Sequence, residues 1–107
     1  MIDDMDLVFE NIEKHYCHAC AKHVKFCDQF MKTPGAYVRR AEVAKRVRDW
    51  KSSVKCCTMR DVLDAEILEI HAAFEQEKYE KAEEEVYDAI AVLLRAIEMI
   101  RENGGRK

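Results

Sequence analysis

The chain has 107 residues, 49% of them apolar, with one proline and three glycines, a composition that fits a single ordered domain and excludes general disorder. Its net charge is −3 but unevenly divided: residues 1–58 carry 11 Lys/Arg against 8 Asp/Glu (+3), and residues 59–107 carry 7 against 13 (−6). No leader pattern and no run of about 18 apolar residues occurs, so neither a secretory signal nor a membrane span is expected, and a cytoplasmic location is. Five cysteines, an odd number, argue against a complete internal disulfide framework and are expected to be reduced.

Helix formers dominate, and the expected fold class is all-α, with residues 1–107 as one helical domain. The first helix is predicted to begin after the acidic residues Asp3, Asp4 and Asp6, whose charges suit a helix N-terminus, and to run to about Met31. Phe9, Ile12, Tyr16, Cys20, His23, Cys27 and Phe30 recur every three or four residues and outline one buried stripe. Thr33 reads as an N-cap with Pro34 as the first residue of a second helix reaching about Val54. Val43, Val47, Trp50 and Val54 form its stripe, and Arg39, Arg40, Lys45, Arg46, Arg48 and Lys51 cover its other faces.

Thr58 and Asp61 have capping-box spacing and open a third helix, with Val62, Leu63, Ile67, Ile70, Ala73 and Phe74 as core candidates. A fourth pattern from about Tyr79 to Ile100 places Ala82, Val86, Ala89, Ile90, Leu93, Ile97 and Ile100 on one face and stops at Asn103 and Gly104. The segment between them, QEKYEK, holds no glycine or proline. One unbroken helix over 59–101 would nevertheless be about 65 Å long, far beyond the usual length in a compact domain, so a turn is predicted near residues 75–79. Packing of Val8, Tyr16, Phe26, Val47 and Trp50 is expected to join the first two helices to the last two.

Glu66 and Glu69 are i,i+3 neighbours on the third predicted helix, and Glu85 and Asp88 are such a pair on the fourth. Each pair borders apolar residues, where uncompensated anions are costly. Two facing helices would gather all four carboxylates around a divalent cation, and carboxylate oxygens are the hard ligands magnesium takes. The same spacing arises often by chance in an acidic helix, where it forms a solvated face.

The order Glu66-Ile-Leu-Glu69, fifteen residues, then Glu85-Val-Tyr-Asp88 running into AIAVLLR resembles the MazG-like nucleotide pyrophosphohydrolases over roughly residues 59–100. That resemblance implies the four-helix-bundle-like all-α NTP pyrophosphatase fold, completed by assembly into a homodimer or higher oligomer. It implies Glu66, Glu69, Glu85 and Asp88 as the catalytic magnesium ligands. The implied reaction is hydrolysis of a nucleoside triphosphate to the monophosphate and pyrophosphate. Lys78, Lys81 and Arg95 are the nearest basic candidates for phosphate contact, and a salt bridge to Glu98 is the competing role for Arg95. The chain departs from the family pattern before Glu66, where Asp64-Ala65 stand in place of a further glutamate, and the family motif does not account for the first half.

Cys17, Cys20, His23 and Cys27 make a second candidate set, three thiolates and an imidazole of the kind zinc accepts. Along one straight helix these four span about 15 Å and cannot all reach one ion. A zinc site would recruit Cys56, Cys57 or His71; otherwise the cysteines pack as small core residues or act as thiols. Cys17-His-Ala-Cys20 has the CxxC spacing of redox proteins without their strand-then-helix context. Two alternatives to the hydrolase therefore stand: a small helical interaction or regulatory protein without catalysis, and a zinc or thiol protein centred on residues 15–27. Nucleic-acid binding is not expected, because no reader motif accompanies the basic second helix.

Overall fold

The computed structural model describes residues 2–23, 25–54 and 57–104. Among the described residues the protein is all-α, with four helices and no strand: α1 (Met5–Lys22), α2 (Gly35–Ser53), α3 (Met59–Glu75) and α4 (Tyr79–Gly104). Among the described residues, no helix is long and apolar enough to cross a membrane. The chain divides into two compact units, residues 1–30 and 31–107.

The first unit holds α1, which is shorter than its apolar stripe predicts. The helix closes at His23, whose N–H donates to the Ala19 carbonyl at 2.8 Å. Beyond it, Phe26 stacks on Phe30 with ring centroids 4.1 Å apart and lies 5.9 Å from the His23 ring. His23, Phe26 and Phe30 thus keep helical spacing in the sequence while making local ring contacts beyond the end of α1. Val8 is buried, but Tyr16, Phe26, Cys17, Cys20 and Cys27 are exposed.

The second unit is built around α3, which packs on α2 along one side and on α4 along the other. Ala41 of α2, Ala65 and Ala73 of α3 and Ala82 of α4 are its buried residues among those described. A methyl group at each of these contacts lets the helix backbones approach closely, and burying one contributes only roughly 0.8 kcal/mol. No large side chain among the described residues is fully buried. Among the described residues of this unit α4 packs on α3, and part of its stripe stays open: Ile90, Leu93 and Ile100 are exposed while Val86 and Ile97 are half-buried. Trp50, expected in the core, is 66% exposed on α2, and Val47 is half-buried.

Polar contacts set the α2–α3 register. The Tyr37 hydroxyl donates to the Asp64 carbonyl at 3.2 Å, His71 Nδ1 lies 2.7 Å from the Met31 carbonyl, and the Thr33 N–H donates to Glu75 Oε1 at 2.8 Å. Thr33 therefore binds across to α3, and Pro34 takes the N-cap position of α2 without a side-chain cap. The predicted capping box at α3 is present in both directions, Asp61 N–H to Thr58 Oγ1 at 3.2 Å and Thr58 N–H to Asp61 Oδ2 at 3.3 Å. Lys51 Nζ also reaches Asp61 Oδ2 at 3.2 Å and ties the end of α2 to the start of α3.

The turn expected near residues 75–79 lies between Glu75 and Tyr79, and its chemistry explains why no glycine marks it. Glu77 adopts φ +58°, the left-handed conformation. The Lys78 N–H donates to the Ala73 carbonyl at 2.9 Å and the Glu77 N–H to the Phe74 carbonyl at 3.0 Å. These two bonds form a Schellman closure, with glutamate where glycine is usual. Phe74 and Tyr79 meet edge-on across it, with ring centroids 5.5 Å apart. A non-glycine residue here carries about 1–2 kcal/mol of strain, offset in part by its lower freedom when unfolded. Glu77→Gly should therefore stabilise the protein by about 0.5–1 kcal/mol, read as a higher midpoint in urea at unchanged slope.

Candidate functional site

The α3–α4 hairpin turns about Glu77, and residues equally distant from that point face each other. Glu69 and Glu85 are each eight positions away, and Glu66 and Asp88 each eleven. An antiparallel pairing about that turn therefore brings the two i,i+3 carboxylate pairs together. Ligand oxygens of Glu66, Glu85 and Asp88 all lie within 4.8 Å of one another. In octahedral magnesium coordination, opposite oxygens stand about 4.2 Å apart, so this triad has the dimensions of a divalent-cation site. Among the described residues it is the one group of three or more metal-ligating side chains brought so close.

The electrostatics are those of crowded anions. Burial, together with hydrogen bonding and repulsion from Glu69 and repulsion from Glu66 and Asp88, pushes the Glu85 carboxyl up to about 7. Burial also raises Glu66, helped by the charges of Glu69 and Asp88; Arg48 offsets part of this, as does Glu85 when it carries a proton. Glu66 Oε2 is buried and, among the described residues, has no hydrogen-bond partner. A buried carboxylate oxygen without a donor has its full desolvation cost uncompensated, which is what a bound cation relieves. The donor set is all oxygen and fits a hard divalent metal.

Glu69 stands beside the triad and faces α2. Its Oε1 is 3.4 Å from Lys45 Nζ and 3.9 Å from Arg48 Nη2, while Arg48 Nη1 is 3.6 Å from Glu66 Oε1. Lys45 and Arg48 sit three residues apart on one face of α2, the helix that packs against α3. The sequence analysis placed these two only among the surface residues of a basic helix. The one signal pointing to them was the opposite charge of the two halves of the chain.

Next to the carboxylates lies a cleft of about 270 Å³ lined by Lys45, Glu69, Ala72, Ala73, Gln76, Lys78, Lys81 and Glu85. Two of the three expected phosphate contacts, Lys78 and Lys81, thus line the same cavity as two of the expected ligands. Arg95 does not line it. It pairs with Glu98 at 3.2 Å and borders a separate apolar groove with Met59, Val62, Val92, Met99 and Ile100. The zinc or thiol candidates are not gathered: Cys17 and Cys20 are exposed on α1, His23 caps it, and Cys27 is exposed beyond it. Cys56, a possible further ligand, lies outside the described residues. Cys57 donates to the Arg48 carbonyl at 3.3 Å.

No family model, no curated protein and no solved structure matches the chain.

Proposed function

We propose that this protein is a magnesium-dependent nucleoside triphosphate pyrophosphohydrolase of the MazG-like kind, with Glu66, Glu69, Glu85 and Asp88 as its metal-binding carboxylates. The observation that supports it most is the convergence of three carboxylates within 4.8 Å beside a lysine-lined cleft. An anionic triphosphate is repelled by carboxylates alone, so the site needs cations of both kinds found or implied here: a metal on the acidic side and lysines on the other. Magnesium bound by the carboxylates would supply charge neutralisation and an activated water. Lys78 just before α4 and Lys81 in its first turn, with Lys45 opposite, bind the phosphate oxygens and align the chain of phosphates along the cleft. Water adds at the α-phosphorus, the bond to the β-phosphate oxygen breaks, and the nucleoside monophosphate and pyrophosphate leave.

Assembly into a dimer or higher oligomer belongs to the same proposal. A unit whose buried residues are alanines leaves Leu93, Met99 and Ile100 of α4 open, a surface that a second copy would cover.

The test is a panel of ribo- and deoxyribonucleoside triphosphates incubated with the protein, with magnesium or with a chelator. Pyrophosphate release that requires magnesium and favours some bases over others is the expected result. A panel on which nothing is cleaved at any magnesium concentration contradicts the proposal.

A further inference from the structure

We propose that Arg48 is the site's own counter-cation, a positioning residue that holds Glu66 and Glu69 when no metal is bound and yields them when a divalent cation enters. The inference rests on the metal-binding reading of the carboxylates above and adds a competitor for them. Arg48 is mostly enclosed, its side chain 18% exposed, so its charge acts on the carboxylates with little solvent screening. Its contacts divide into two kinds. Toward Glu66 and Glu69 the nearest approaches are 3.6 and 3.9 Å, ion pairs longer than a hydrogen bond. Toward Asp49, its neighbour on α2, it makes two hydrogen bonds to one oxygen, Nη2 at 3.0 Å and Nε at 3.2 Å.

The guanidinium is thus anchored on its own helix and only leans on the metal ligands. A cation entering among Glu66, Glu85 and Asp88 has long, charge-only contacts to displace, and Asp49 retains the arginine after they are lost. Arginine stays charged at any accessible pH, so it cannot leave the competition by losing a proton. Its charge supports the carboxylates in the empty site and opposes a second positive charge in the filled one. Lys45, 44% exposed and 3.4 Å from Glu69, acts in the same direction more weakly because water screens it.

The experiment measures Mn²⁺ binding by calorimetry and by electron paramagnetic resonance, without nucleotide, at pH 8.5, above the Glu85 value of about 7. Arg48→Gln should bind Mn²⁺ about tenfold more tightly than the parent chain, and Arg48→Lys, which keeps the charge, should stay near it. Melting curves give an independent readout. Arg48→Gln should melt lower than the parent without metal, and its rise on adding saturating Mn²⁺ should be larger. Equal or weaker Mn²⁺ binding in Arg48→Gln overturns the proposal, as does a parent chain that binds no Mn²⁺. Mn²⁺ binding with the expected Arg48 effect but no triphosphate cleavage would sink the hydrolase reading and leave this one standing.

Discussion

Asp88→Asn and Glu69→Gln should each lower triphosphate hydrolysis at least a hundredfold while the helix content stays that of the parent. Each substitution keeps the side-chain shape and removes one negative charge. A loss of a hundredfold corresponds to about 2.7 kcal/mol of transition-state stabilisation, within what one metal ligand contributes. Asp88 is exposed at the edge of the triad, so its neutral form imposes no folding cost. Glu69 is paired to Lys45 and Arg48, and its loss also frees those cations beside the cleft. Glu83→Gln is the control: Glu83 lies on the same helix and accepts from the Tyr87 hydroxyl at 3.1 Å, away from the triad, so activity should not change. Steady-state rates at saturating magnesium, with circular dichroism of each variant, check the prediction. Full activity in both Asp88→Asn and Glu69→Gln contradicts the site.

The second large effect is on stability. Without divalent metal, the protein should lose stability as pH rises from about 4.5 through 7, a direction opposite to ordinary acid unfolding. The fold pushes the Glu85 carboxyl up to about 7 from its ordinary 4.5. Between these values the folded state holds a proton that the unfolded chain has released, so each unit of pH favours unfolding. Glu66, also raised, adds to the slope in the same sense. Asp61 and Glu75 are lowered, the first mainly by the Thr58 hydroxyl and the second by the Thr33 N–H. Their contribution is present above the ordinary carboxylate range and is lost in acid, below the window in which Glu85 acts. Saturating Mn²⁺ or Mg²⁺ should flatten the decline, because the cation binds the ionised carboxylates of the folded state alone. Glu85→Gln should flatten it without metal. Melting temperatures at half-unit intervals from pH 5 to 8.5, with chelator and with metal, read both effects. A metal-free melting temperature that rises across this range would show that the carboxylates are not crowded.

The hairpin that carries the site was legible because its two requirements are local. Thr58 and Asp61 cap α3 through contacts three residues apart, and a 43-residue helix was physically too long for the chain. The left-handed Glu77 was not legible, since glutamate in that position announces nothing and the closure depends on carbonyls of Ala73 and Phe74. The carboxylate spacing was readable for the same reason as the hairpin: positions mirrored about a turn meet. Arg48 and Lys45 were hidden, because their partners are about twenty residues away and only the α2–α3 packing chooses which of six basic residues faces α3. Trp50 and Tyr16 were misassigned to the core because helical periodicity marks an apolar face without saying what covers it. The end of α1 was missed because the aromatic spacing continues past His23 in ring stacks.

The most direct test of the proposed chemistry is phosphorus NMR of a nucleoside triphosphate incubated with the protein and magnesium. The account predicts loss of all three triphosphate resonances and growth of only two product signals, a nucleoside monophosphate and pyrophosphate, both abolished by chelator and by Asp88→Asn. A nucleoside diphosphate with inorganic phosphate, or an unchanged spectrum across every triphosphate tried, would contradict it.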